Sequence, residues 1–502
     1  MMALSATRTA RKHRRLVSRS LCSPLNRVQV LDGHSGCVNA LSWAKDGELL
    51  LSGGDDRTIR IWGPSMDPSS LTDCPSFVCR SVMPTGHLAN IFNAHMLPYS
   101  SQIATVAGDG QVRVHDVREA LSGSAQSNSR QLCVHRLRCH GDRVKRLVTE
   151  DSPHLFLTVG EDGTVRQHDL RTSHDCDYGS CPPPLIQLDF ELSTLSLSSL
   201  TPYQFVVAGE SPYGFLFDRR QAGRFLLEER GMVENGMTHC IRRFGRPEPS
   251  PDMRITREHI TGARMSSQNG HEVLLSYSAD AVYLYSTRDE PKEKDLTHPS
   301  PLLAQNDKLK IVNSGTPAWQ GDSVSDAMDV DIEDNASEDE HDHDVFKDWD
   351  EYLSRDPYSV VPLVHPRRRF AGARNVHTIK DVNFLGPDDE YVTSGSDDGH
   401  FFVWRKDGSL HGIFEGDSTV VNVIEGHPHL PLIAVSGIDT TVKLFSPVPG
   451  PSAFSRMESA ESIIAANTRQ SNDFRKRRYD FISLMAEARA ATSDGAPQCS
   501  HQ

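Results

Sequence analysis

The chain has 502 residues, with 53 basic and 67 acidic side chains and a formal net charge of −14. No apolar run approaches the roughly 18 residues of a membrane span, and the opening residues lack the hydrophobic core of a secretory signal. Ten cysteines in so long a chain, without secretion, point to reduced thiols inside the cell rather than a disulfide scaffold.

Residues 1–31 hold seven basic side chains (Arg8, Arg11, Lys12, Arg14, Arg15, Arg19 and Arg27) and no acid. This start imitates a mitochondrial transit peptide. Its Arg11-Lys12-His13-Arg14-Arg15 cluster reads either as a nuclear-import patch or as a solvated face. Arg27 to Leu31 then alternates polar and apolar residues, as a strand does.

Three units of one layout follow. Gly33-His34 leads to Ser52-Gly53-Gly54-Asp55-Asp56 and Ile61-Trp62. Gly86-His87 leads to Ala107-Gly108-Asp109-Gly110 and Val114-His115-Asp116. Cys139-His140 leads to Gly160-Glu161-Asp162-Gly163 and Gln167-His168-Asp169. The three histidines lie 53 positions apart, and so do residues 62, 115 and 168. A Gly-His start, a Gly-Asp turn and a Trp-Asp-like end resemble the WD40 repeat, whose units are the four-stranded blades of a β-propeller. Weaker units run from about Leu185 to Asp218 and from about Thr238 to Tyr285. Clear ones return at Ile379 to Trp404 and at Val420 to Phe445. The count predicts an all-β, seven-bladed propeller. In such a fold the segment Arg27–Leu31 is expected to supply the outer strand of the last blade and so remove the open sheet edges.

The resemblance places a buried hydrogen-bonded relay on His34, Ser52, Asp56 and Trp62. These residues could be mistaken for a hydrolase triad, but the trio recurs partly in later blades, whereas an active site would occur once. Gly372-Ala373 and Gly416-Asp417 stand where Gly-His is expected, so those blades should rely more on apolar packing. There is no phosphate-binding GxxxxGK[ST], GxSxG elbow or HExxH zinc motif, and the chain is read as a non-enzyme without a cofactor. Two sets of candidate metal ligands, His174, Cys176 and Cys181, and Cys133, His135, Cys139 and His140, lack paired C-x₂-C spacing. The expectation is no metal, with reduced thiols in loops and strand ends.

Blades two to four end alike: Asp116-Val117-Arg118, Asp169-Leu170-Arg171 and Asp218-Arg219-Arg220. An Asp that caps its own turn should leave the Arg two positions later projecting from one face. Endings of this kind resemble the W-D-x-R motif of the substrate receptors of cullin-4 RING ubiquitin ligases. In that family the Arg contacts the large adaptor, damaged-DNA-binding protein 1. Gly33 to Leu41, Gly86 to Phe92, Gly160 to Arg166, Ser394 to Phe401 and Gly426 to Pro431 look like the subgroup of adaptor- and cullin-associated factors six and eight. The long acidic insertion is similar to that of factor six. His115 and His168 depart from the motif's Trp. In related receptors a helix before the first blade inserts into the adaptor, and Arg8 to Leu21 is the candidate here.

Residues 287–369 form an acidic low-complexity insertion expected to be disordered, with fourteen Asp or Glu between 322 and 351. Within it Phe346, Trp349 and Leu353 recur at helical spacing, and Arg367-Arg368-Arg369 is expected to fold back on the acidic run. Ser459 to Ala490 reads as helix, with Phe474, Phe481, Ile482, Met485 and Ala488 on one face. The resulting divisions are a basic extension (1–26), blades one to five (27–286), the insertion (287–369), blades six and seven (370–446) and a helical tail (447–502). The resemblance implies a receptor that docks on the adaptor through Arg118, Arg171 and Arg220 with Asp116, Asp169 and Asp218, and recruits a protein for ubiquitination. No membrane or direct nucleic-acid partner is expected, and the location is taken as nuclear and cytoplasmic. The alternative is a general WD40 scaffold in a nuclear chromatin or transcription complex.

Overall fold

A computed structural model describes residues 14–65, 75–121, 133–176, 180–220, 240–246, 259–291, 358 and 361–493. Its strands make seven antiparallel meanders, the blades of a propeller. In the first, Val38–Ala44, Leu49–Gly54, Thr58–Pro64 and Phe77–Pro84 pair in sequence order. The first three are apolar on both sides because adjoining blades cover both faces, whereas Phe77–Pro84 is exposed along one side.

The ring is held between blades rather than within them. The described residues form seven buried apolar clusters, one for each blade–blade boundary, from Ile59, Ile61 and Ile91 between blades one and two to Leu41, Trp62 and Leu444 between blades one and seven. The innermost strand starts with a register shift in six blades, for example between Val38 and Ala40 or between Val421 and Val423. Such a bulge turns the strand sharply. It also brings the backbone so close that a Cβ on Gly54 would lie 1.9 Å from the Cys37 carbonyl oxygen. Only glycine fits there.

Leu25–Leu31 pairs antiparallel with Val442–Pro447 and completes blade seven, as the alternating pattern of Arg27–Leu31 predicts. Three other outer strands are shifted from the sequence expectation. Ile186–Gln187 closes blade three instead of opening blade four. Cys240–Phe244 closes blade four instead of opening blade five. Leu363–Val364 adds to blade four in parallel, and Arg368–Phe370 is the outer strand of blade five. The insertion therefore sits inside blade five, between its third and fourth strands, and 363–370 belong to the propeller. Arg367 pairs with Asp289 and Arg369 with Asp280 of the blade, while the acidic run lies outside the described residues. The Phe346, Trp349 and Leu353 pattern lies outside the described residues. Deleting 300–357 should leave a soluble, cooperatively melting chain. Extending the deletion through Phe370 should lower the melting temperature by several degrees or more, because blade five loses its last strand.

A helix over 14–21 and a second, Ala460–Ser493, flank the ring. Val17 and Leu21 are buried in the apolar cluster of blades six and seven. On the second helix, Ile463 and Ile464 pack on blades five and six, and Asn467 donates to the Gly372 carbonyl at 2.9 Å and to Asp398 at 2.7 Å. Among the described residues, no helix is long and apolar enough to cross a membrane.

Candidate functional site

Antiparallel connectivity sorts the loops into two ends. Turns between the second and third strands, and links into each new blade, lie at one end; turns between the first and second strands, and those after the third, lie at the other. The first end carries the relays. His34 meets Asp56 at 2.8 Å and Ser52 at 2.7 Å, and the Trp62 indole N–H donates to Ser52 at 2.8 Å. The polarity that satisfies every group runs Trp62 to Ser52 to His34 to Asp56, with the carboxylate as final acceptor. Ser52 is fully buried and its oxygen is already engaged twice, so it is closed to a substrate. Burial pushes the Asp56 carboxyl upward, but the Thr58 amide and His34 outweigh it and hold it below its ordinary value. Asp56→Ala should destabilise the propeller by about 1–3 kcal/mol. A thermal melt equal to wild type would reject the relay.

Blades two and three repeat the device with threonine for serine: His87 joins Asp109 and Thr105, and His140 joins Asp162 and Thr158. His168 replaces the indole and meets Thr158 at 2.7 Å. His115 is fully buried with neither ring nitrogen hydrogen-bonded. Burial, reinforced by His87 and Arg113, holds it neutral with a pKa of about 3.

Blades six and seven do not fall back on apolar packing. Lys380 reaches Asp397, both wholly buried, and Asp397 also accepts from the Val376 and His377 amides at 2.6 and 3.0 Å. In blade seven Lys443 reaches Asp417 at 3.0 Å. A buried lysine here takes the place of the histidine–aspartate pair.

The opposite end carries the arginines. Asp116, Asp169 and Asp218 each accept the backbone N–H two residues on, at 2.9–3.0 Å, and so cap their turns as predicted. The guanidiniums are less free than the motif suggests. Arg171 is gripped by both oxygens of Asp169 at 2.8 and 2.7 Å, and Arg220 is forked onto Asp218 while lying 3.9 Å above the Tyr203 ring. Arg118 stays 3.6 Å from Asp116. All three are more than 60% exposed. Arg219, by contrast, is turned into blade three, onto Glu150 and Gln167.

Exposed apolar residues at this end that carry no sequence motif include Tyr99, Leu200 and Tyr203, at 83, 55 and 37% exposure. Tyr99 and the Leu200–Tyr203 pair occupy the turns between first and second strands of blades two and four, a positional signal visible only once strands are placed. The helix over 14–21 also lies at this end, where Arg14 pairs with Asp388 and donates to Gln268 at 2.8 Å. Elsewhere, the structure draws Cys139 together with His174, Cys176 and Cys181, which linear spacing separates into two sets.

The family described as WD domain, G-beta repeat matches residues 25–63, 131–169 and 368–405. The chain is a seven-bladed β-propeller with WD repeat matches in three stretches. It is 33% identical to WD repeat protein iqw1 of Schizosaccharomyces pombe over 300 residues, 56% of this chain and 36% of that protein. It is 29% identical to DDB1- and CUL4-associated factor 6 of Homo sapiens over 296 residues, 58% of this chain and 31% of that protein. WD and tetratricopeptide repeats protein 1 of Mus musculus is 23% identical across 88% of each chain. The propeller chain thus spans about a third of the length of the first two of these relatives.

Proposed function

We propose that this propeller is a non-catalytic substrate receptor of a cullin-4 RING ubiquitin ligase. Its arginine end docks on the adaptor, damaged-DNA-binding protein 1, and another surface holds a protein for ubiquitination. The observation that carries the reading is the set of Asp-capped arginines, Arg118, Arg171 and Arg220, at one end of three consecutive blades beside exposed Tyr99 and Tyr203. Arg and Tyr are side chains that protein interfaces favour: Tyr buries a large rigid area with few torsions to freeze, and the planar Arg fork loses less freedom for each hydrogen bond it makes. An exposed ion pair adds little stability, so the forked Asp–Arg pairs are better understood as pre-ordering the guanidiniums for a partner. The likeness to DDB1- and CUL4-associated factor 6 supports the same partner. The rest of the chemistry belongs to the assembled ligase, since the relays at the opposite end are enclosed. The proposed locations are nucleus and cytoplasm, where such ligases act. The test is purification of the tagged chain from its own cells. Recovery of the adaptor and cullin-4 in stoichiometric amounts is the expected result, and their absence from an otherwise intact complex would favour a general scaffold.

A further inference from the structure

Cys139 lies in the link that leaves the outer strand of blade two, Cys133–Leu137, and enters blade three. His174, Cys176 and Cys181 lie in the long connection between the third and fourth strands of blade three. Folding places their ligand atoms all within 4.8 Å of one another. Cys139 Sγ is 3.1 Å from His174 Nε2 and 3.7 Å from Cys176 Sγ, and Cys176 Sγ is 3.3 Å from the same nitrogen. Zinc bound tetrahedrally, at about 2.3 Å from sulfur and about 2.0–2.1 Å from nitrogen, needs S···S edges of about 3.8 Å and S···N edges of about 3.5 Å. The observed edges fall close to these values. The three cysteines of the set are free of any disulfide.

We propose that Cys139, His174, Cys176 and Cys181 bind one structural zinc ion. Three thiolates and an imidazole form a closed, soft donor set that suits zinc and leaves no position for a substrate. Binding Zn²⁺ displaces the three thiol protons and leaves the neutral imidazole to donate its lone pair, for a site charge of −1. The surroundings fit that charge. The Arg138 backbone N–H donates to Cys176 Sγ at 3.3 Å, the kind of contact that orients a metal-bound thiolate. Arg136 and Arg138 line the adjoining cavity with His174 and Cys176. Ser180 clips the loop, accepting from the Asp175 N–H and donating to its carbonyl at 2.6 Å, so that Cys176 and Cys181 turn toward one point.

The fold has a use for such a clasp at this place. The fourth strand of blade three is only Ile186–Gln187, two residues, where the fourth strands of the other blades run from three to eight. Blade three therefore has few ladder hydrogen bonds to hold its edge. A metal joining its outer connection to the exit of blade two would fasten the edge to its neighbour instead.

The test uses the untagged full chain, purified from zinc-supplemented cells and analysed for metals. One zinc per chain is expected, and Cys176→Ser/Cys181→Ser should hold none, whereas Cys37→Ser/Cys79→Ser should keep it. Cobalt(II) should give the intense visible bands of tetrahedral coordination and a thiolate charge-transfer band. Because the ligand variant can fail to fold, the wild-type chain is also melted after chelation. Its midpoint should fall by several degrees and recover with zinc but not magnesium. A folded wild-type chain lacking stoichiometric zinc and giving no tetrahedral cobalt spectrum overturns the proposal. So does zinc retained by folded Cys176→Ser/Cys181→Ser.

Discussion

The Arg171→Ala/Arg220→Ala chain is expected to lose the cullin-4 adaptor almost completely while keeping its fold. Both guanidiniums are well exposed and enter no apolar cluster, so their removal leaves the seven blade boundaries untouched. At an interface the balance changes. An Arg forked to a carboxylate and placed in a desolvated contact typically carries on the order of 30-fold or more in affinity, part of it the cost of leaving the partner group unpaired. Arg220 has the further anchor of Tyr203, whose ring lies 3.9 Å from the guanidinium carbon. Arg118, held at 3.6 Å by Asp116, is less ordered and should matter less. Pull-down and circular dichroism on one preparation read both halves. Undiminished adaptor capture by a folded double variant would reduce these arginines to turn residues and bring the scaffold reading forward.

Lys380→Met should cost more stability than any single change on the exposed surface, about 3–5 kcal/mol. Burial pulls the Lys380 ammonium below its ordinary pKa, and Asp397 restores part of what burial takes. Asp397 is wholly buried too, and its remaining hydrogen bonds come from two neutral amides, with the Arg374 guanidinium farther off at 3.8 Å. Methionine fills the space of the lysine stem but removes the cation bonded to that carboxylate and leaves only the more distant Arg374. The carboxylate must then stay ionised in a dry site or take a proton, and either course raises the energy of the folded state. Denaturant unfolding measures the loss directly. A midpoint unchanged from wild type would mean that the pair is hydrated and that blade six is held by packing alone.

The blades were legible where chemistry repeats in the chain. Gly53-Gly54-Asp55-Asp56 and Ser394-Gly395-Ser396-Asp397 mark turns that admit few other residues, and the inner strands between them are apolar on both sides. Outer strands lacked that signal because one side faces water: Phe77–Pro84 buries little besides its ends, and Arg368–Phe370 buries only Phe370. Such segments look like loop, which is why the sequence pattern alone puts Ile186, Cys240 and Arg368 in the wrong unit. Lys380 and Lys443 were missed for a related reason, since a lone lysine in a strand reads as solvated until its facing aspartate is known. The Asp-x-Arg endings were visible because each motif is local. Tyr99 and Leu200 joined them only through topology, and Cys139 met His174 only through folding.

The exchanged strands have a consequence for a chain cut within 292–357. The segment before the cut supplies Leu25–Leu31 to blade seven, and the segment after it supplies Leu363–Val364 to blade four and Arg368–Phe370 to blade five. Each half thus holds a piece that completes a sheet of the other, at separate places on the circumference. A nick there would divide the polypeptide without opening the ring, and the halves would have to release all three strands at once to part.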